Sequence, residues 1–183
     1  LWHGDLTGAD AVLRTALAEV RLLNDQWRQM QCLVYLAVLH RLQGDTDGVE
    51  LFLSQLEATG QPAGSPFYQA ACHANSAWLH LRNDRVHLAR QEALTSLALW
   101  KEYTYPFQWL AHWIVLAVAL EQGALSDAVQ AADAMLDPKQ QWLPDDVTQA
   151  LTCAVHTAQT GANAATQTCL TRAVRLAQGY GFL

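Results

Sequence analysis

Three histidines, His73, His80 and His87, recur at seven-residue intervals, and imidazole nitrogens are common ligands of zinc. On one helix His73 and His80 lie two turns apart, roughly 10 Å along the axis, too far to bind one ion together. His87 falls beyond the Asn83-Asp84 turn. Cys153 and His156 have a better spacing, three residues on one helical face, but no second pair of ligands accompanies them. Cys72 beside His73 pairs a thiol with a base. Neighbours on a helix point in different directions, so the thiolate chemistry of a nucleophile is not assembled there. A catalytic site would have to be gathered by the fold from scattered groups such as Asp25, His40 and His80. No phosphate-binding Gly-x4-Gly-Lys-Ser/Thr loop is present. We therefore expect no catalytic residues, no metal and no cofactor in this chain.

The bulk properties narrow the partners. With 11 basic against 17 acidic residues, the net charge of −6 argues against a surface built to replace counterions along nucleic-acid phosphates. The longest apolar stretch, Trp109 to Leu120, is interrupted by His112 and falls short of the roughly 20 residues that span a bilayer. No basic-then-apolar leader is recognisable, which makes the cytoplasm the expected location. The four cysteines, Cys32, Cys72, Cys153 and Cys169, form no close Cys-x-x-Cys pair and read as reduced, buried small residues.

The elements that must position any site repeat about every 40 residues. Turn signals at Gly4-Asp5, Gly44-Asp45, Asn83-Asp84, Gly123-Ala124 and Gly161-Ala162 are spaced by 40, 39, 40 and 38 residues, each followed by a helical run. Such a period marks stacked helical hairpins. The first run, Ala9 to Leu23, places Ala9, Leu13, Ala16, Leu17 and Val20 on one face and has no partner before it. Hairpins follow over Asp25–Gln43 with Asp47–Ala58, Pro66–Arg82 with Arg85–Glu102, Phe107–Gln122 with Leu125–Leu136, and Asp145–Thr160 with Ala162–Gln178. The Gly60–Pro66 segment is the clearest breaker cluster. No stretch alternates polar and apolar residues between turns, so no sheet is expected. The expectation is one all-α domain over residues 1–183, about nine helices, one solitary and four paired. A chain that begins at Leu1, within a turn, is expected to be a piece of a longer protein.

The stretch from Gly123 through Ala128 to Ala132 and Met135 resembles the middle of a tetratricopeptide repeat, with echoes at Ala9/Leu13/Ala16, Val49/Leu53/Leu56, Ala89/Ala93/Ser96 and Thr166/Leu170/Ala173. The family's first-helix positions depart from its pattern: Ala37 or Ala77 stands where glycine is usual, and His40 or His80 where tyrosine is usual. The long, degenerate period is similar to repeats at the carboxyl end of large bacterial signalling ATPases, either multidomain adenylate/guanylate cyclases or ATP-dependent LuxR-type regulators. The runs Ala134–Asp146 and Ala173–Gly181 have the flavour of the cyclase group. The resemblance implies a right-handed superhelical solenoid of antiparallel hairpins, whose first helices line a concave groove. On that geometry Val34, Val38, Arg41, Trp78, Arg82, Trp113 and Glu121 face the groove, an apolar floor with charges at its rim. It implies a non-catalytic interaction or sensor module of a cytoplasmic signalling protein that binds a peptide or protein segment, including one from another domain of its own parent. No nucleic-acid or membrane contact is expected. Small-molecule effector sensing, as in the LuxR-type group, and structural self-association through the unpaired first helix are the alternatives.

Overall fold

Residues 5–59, 66–103 and 105–183 are described by a computed structural model of the chain. They form α1 (Leu6–Leu22), α2 (Gln26–Leu42), α3 (Thr46–Ala58), α4 (Pro66–Arg82), α5 (Val86–Trp100), α6 (Trp109–Glu121), α7 (Leu125–Met135), α8 (Asp145–Gln159) and α9 (Asn163–Gly179), with no strand among the described residues. The breaker cluster at Gly60–Ser65, the Gly4 mark and Thr104 lie outside those residues.

One local device is used six times. Asn24, Gly44, Asp84, Gly123, Gly161 and Gly181 all have positive φ, between 52° and 75°. The residue after each donates its N–H to a carbonyl five positions back: Asp25 to Val20, Asp45 to His40, Arg85 to His80, Ala124 to Ala119, Ala162 to Thr157 and Phe182 to Ala177, at 2.8 to 3.1 Å. This closes the orphan carbonyls at a helix end and, at the first five, lets the next helix start at once. Asp5, Asp25 and Asp45 then cap the first three helices, their carboxylates accepting from the N–H groups of Gly8, Arg28 and Gly48. The expectation of a solitary first helix is corrected here. The Asn24 turn joins α1 to α2, and the two pack together. Asparagine tolerates the left-handed conformation, so the turn needs no glycine to announce it.

Five of these turns make a packed helix pair, and α2, α4 and α6 then pack in succession, α2 on α4 and α4 on α6. Small residues allow the approach: Ala70, Ala71, Ala74 and Ala77 of α4 and Ala89 and Ala93 of α5 are completely or almost completely buried. Helix α6, with nine of its residues buried, is the centre of the core; this is why its apolar run is continuous rather than one-sided. No described helix is long and apolar enough to cross a membrane.

The succession changes at the last hairpin. Helix α8 packs on α7 and on α9, but it is α9, not α8, that packs against α6. This carries residues 180–183 back across the molecule to α2, where the Cα of Gly181 lies so close to the Leu42 backbone carbonyl that a Cβ would collide with it. The end of the chain is therefore part of the core: Phe182 is fully buried and Leu183 nearly so.

The cysteines also depart from expectation. Cys153 on α8 and Cys169 on α9 form a disulfide across the hairpin, with Cα atoms 5.9 Å apart, within the range a disulfide spans. Cys153 is exposed rather than buried. Their separation of 16 residues concealed the pairing, because only the turn at Gly161 brings the two helices face to face. Cys32 and Cys72 are free.

Candidate functional site

Helix α2 supplies Val34, Val38 and Arg41, at the i, i+4, i+7 spacing of one face; α4 supplies Trp78 and Arg82; α6 supplies Trp113 and Glu121. The three helices adjoin one another in the order α2, α4, α6, so these residues belong to one region. Five of the seven are buried: Val34, Val38, Arg41, Trp78 and Trp113. Arg82 and Glu121 are exposed. They flank a crevice of about 490 Å³ that is also lined by Leu81, Asp84, Ala117, Val174, Gln178 and Leu183.

Arg41 organises the interior. It is completely buried, its Nη1 donates to the Ala74 carbonyl at 3.3 Å, and its Nη2 donates to the carbonyls of Leu110 at 2.8 Å and Phe182 at 2.7 Å. The guanidinium thus ties α2 to α4, to α6 and to the returning chain end. It lies 5.9 Å from the ring centroids of both Trp78 and Trp109, and Arg82 lies 5.7 Å from Trp78. Such distances allow cation–π attraction, strongest where the cation has lost its water. Burial alone pushes the Arg41 pKa down to about 9, which still leaves it charged at neutral pH. All three acceptors are neutral carbonyls, and none of the ion pairs among the described residues includes Arg41.

Phe182 fills the space between the α6 tryptophans. Its ring centroid is 5.1 Å from Trp109 and 6.1 Å from Trp113, nearly parallel to the latter, and Tyr180 stacks on Phe182 at 5.7 Å. The region expected as an open groove is therefore occupied by a segment of its own chain. Sequence reasoning did not place Trp109 or Phe182 there. The i, i+4 spacing of Trp109 and Trp113 was a usable signal for a shared helix face. Phe182 offered none, since nothing local says that its turn points back to α2.

The groups first weighed for chemistry are dispersed. Asp25 caps the start of α2 and pairs with Arg28, while His40 is near the other end of the same helix, about 22 Å away at 1.5 Å per residue. His40 instead faces Asp45 through Nδ1 at 2.7 Å and Asp10 through Nε2 at 3.1 Å, with Arg14 beside Nε2 at 3.2 Å. That cluster fastens α1 to the α2–α3 turn. Hydrogen bonding to Arg14 and His40 holds the Asp10 carboxyl below its usual range, and the Gly48 N–H does the same for Asp45.

His73 and His80 line a second cleft, of about 410 Å³, with Met30, Leu56, Glu57, Tyr68, Cys72, Ser76 and Glu92. The Nδ1 of His73 pairs with Glu92 at 2.5 Å. Burial pushes the Cys72 thiol up to about 11, so at neutral pH it is protonated and a poor nucleophile. Among the described residues no group of three or more His, Cys, Asp or Glu is placed to hold a metal ion. Cys153, the partner considered for His156, is held by Cys169.

Comparison with known proteins finds no protein-family model, no curated protein and no solved structure that matches this chain.

Proposed function

We propose that this chain is a non-catalytic binding module, a tetratricopeptide-like right-handed superhelical solenoid whose first helices hold a peptide or protein segment on their concave side. The observation that carries the reading is the seating of Gly181–Leu183 against α2, α4 and α6. Phe182 stacks on tryptophans and its carbonyl is held by Arg41. An aromatic anchor in a pocket with one well-directed backbone hydrogen bond is how short segments are recognised in grooves. The chain's own end serves as the model ligand, and the partner is a protein or peptide segment that takes its place, including one from elsewhere in a parent protein. A role in cytoplasmic signalling follows from the resemblance of the repeats to those of large bacterial signalling ATPases.

The test uses a variant shortened to end at Gln178 and a labelled peptide Gly-Tyr-Gly-Phe-Leu amide, copying residues 179–183. Saturable binding to the folded variant, with much weaker binding to the unaltered chain whose site is occupied, is the expected result. A folded variant that binds no peptide would sink the proposal.

Small-molecule effector sensing is the second reading. The depth of the site favours it: Trp78 and Trp113 are fully buried, beneath the crevice that Arg82 and Glu121 flank. Self-association is favoured by a different observation, the exposure of Val12, Leu22 and Leu23 along and just after α1.

A further inference from the structure

We propose that the cleft floored by α4 is a binding site for a primary alkylammonium group, held between the carboxylates of Glu57 and Glu92. The site is separate from the seating of Gly181–Leu183: none of its lining residues borders the crevice beside Arg82 and Glu121.

The cleft follows from how the hairpins stack. Helices α3 and α5 each pack on α4 but not on each other, so a strip of α4 is left uncovered between them. The strip holds Gln69, His73, Ser76 and His80, at the i, i+4, i+7, i+11 spacing of one helix face. All four are half-buried. A strip that a neighbouring helix covers is apolar, as the Ala70, Ala74 and Ala77 face of the same helix is. Here the floor is polar, and the space above it, about 410 Å³, has the size of a small-molecule site. Ser76 and His80 make no side-chain hydrogen bond or ion pair among the described residues, so their polar atoms are open to whatever enters the cleft.

Two carboxylates stand over this floor, one from each wall. Glu57, on α3, acts on the Cys72 thiol, which burial and the Glu57 charge together push up to about 11. Glu92, on α5, meets Nδ1 of His73 at 2.5 Å. Cys72 and His73 are successive residues of α4, so the two carboxylates reach the same level of the floor from opposite sides. No lysine or arginine among the described residues lines the cleft, and Glu57 belongs to none of the ion pairs there. The charge this cleft lacks is positive. A metal ion answers poorly, because no three suitable ligands converge among the described residues. An ammonium is less demanding: acceptors on both walls suit its three N–H donors, in charge-assisted hydrogen bonds. Its alkyl chain has a wall of its own in Met30, Leu56 and Tyr68, all buried.

The same chemistry has two sources, a free alkylamine and the side chain of a lysine in a peptide. The experiment titrates n-butylammonium, which has the four carbons of that side chain, into the full chain by calorimetry. Its neutral isostere 1-butanol is titrated at matched ionic strength, so that general screening is equal in both. Butylammonium should bind with roughly millimolar affinity, as expected of so few atoms, and about tenfold more tightly than the alcohol. Glu57→Gln should remove most of that preference. Because Glu57 is exposed and unpaired, this variant should keep its unfolding midpoint, and it carries the test even if Glu92→Gln loosens the contact with His73. Glu19→Gln, exposed on α1 and outside the cleft, should change nothing. N-acetyl-lysine methylamide is the last arm: tighter binding than butylammonium assigns the site to a lysine of a peptide, and equal or weaker binding assigns it to a free amine. Equal binding of butylammonium and butanol, no saturable binding of butylammonium, or an unchanged affinity in Glu57→Gln overturns the proposal. The peptide test of the groove involves none of these residues, so either reading can fail alone.

Discussion

Phe182→Ala should be among the most destabilising single changes in the molecule, although it lies one residue from the last position of the sequence. The side chain is fully buried between Trp109 and Trp113, and truncating a buried phenylalanine costs about 3–5 kcal/mol, combining lost transfer energy and a residual cavity. At this chain length each kcal/mol moves the thermal midpoint by roughly 2–4 °C, so a fall of roughly 6–20 °C is expected. Urea unfolding followed by tryptophan fluorescence measures the free energy directly. The fluorescence of the folded variant should also shift, because two indole rings lose their neighbour. Tyr180→Ala is the control. Tyr180 is 43% exposed, stacks on the outer side of Phe182 and donates its hydroxyl to the exposed Asp146 carboxylate at 3.2 Å, so its loss should cost only about 1 kcal/mol. The opposite view, in which the chain end frays as termini commonly do, gives near-neutral effects for both variants. A Phe182→Ala cost below about 1 kcal/mol, with unchanged fluorescence, would refute the closed core and with it the assignment of the binding site.

Burial lowers the His112 pKa from 6.5 to about 4. Between those values the unfolded chain takes up a proton that the folded chain refuses, so stability should fall as pH drops from about 6.5 to 4 and level off below. The loss should amount to at most about 3 kcal/mol, and His112→Leu should flatten that part of the stability–pH curve. Reduction of Cys153–Cys169, which closes a loop of 16 residues, should cost about 3 kcal/mol on the chain-entropy account. A reductant should lower the unfolding midpoint of the unaltered chain and leave that of Cys153→Ser unmoved. Asp45→Ala removes the cap on the Gly48 N–H and the contact with His40, for a cost of about 1–2 kcal/mol; Asp45→Asn, which keeps the cap, should lose less in the same denaturation assay.

Helix content was legible because the signals for it are local. A glycine, asparagine or aspartate that can take positive φ, followed by a residue that starts the next helix, is a short-range statement. Gly44, Asp84, Gly123 and Gly161 make it in both sequence and structure. Asn24 makes the same turn off the 40-residue spacing of the others, and it is this turn that packs α1 on α2. The groove residues were legible in part: helical spacing gathered Val34, Val38 and Arg41 on one face and joined them to Trp78 and Trp113. A register error of one residue rotates a side chain by about 100°, so spacing alone could not say whether those faces met solvent or one another.

The sequence by itself determined the net charge of −6, and it determined the helices and most of their turns because backbone conformation and capping depend on residues within five positions of each other. Tertiary structure alone decided that α9 rather than α8 packs on α6, that Cys153 meets Cys169, and that Arg41 receives the carbonyl of a residue 141 positions away. Those pairings depend on the summed angles of every preceding helix crossing. A few degrees at each crossing accumulate into the ångströms that separate an open groove from one filled by Phe182.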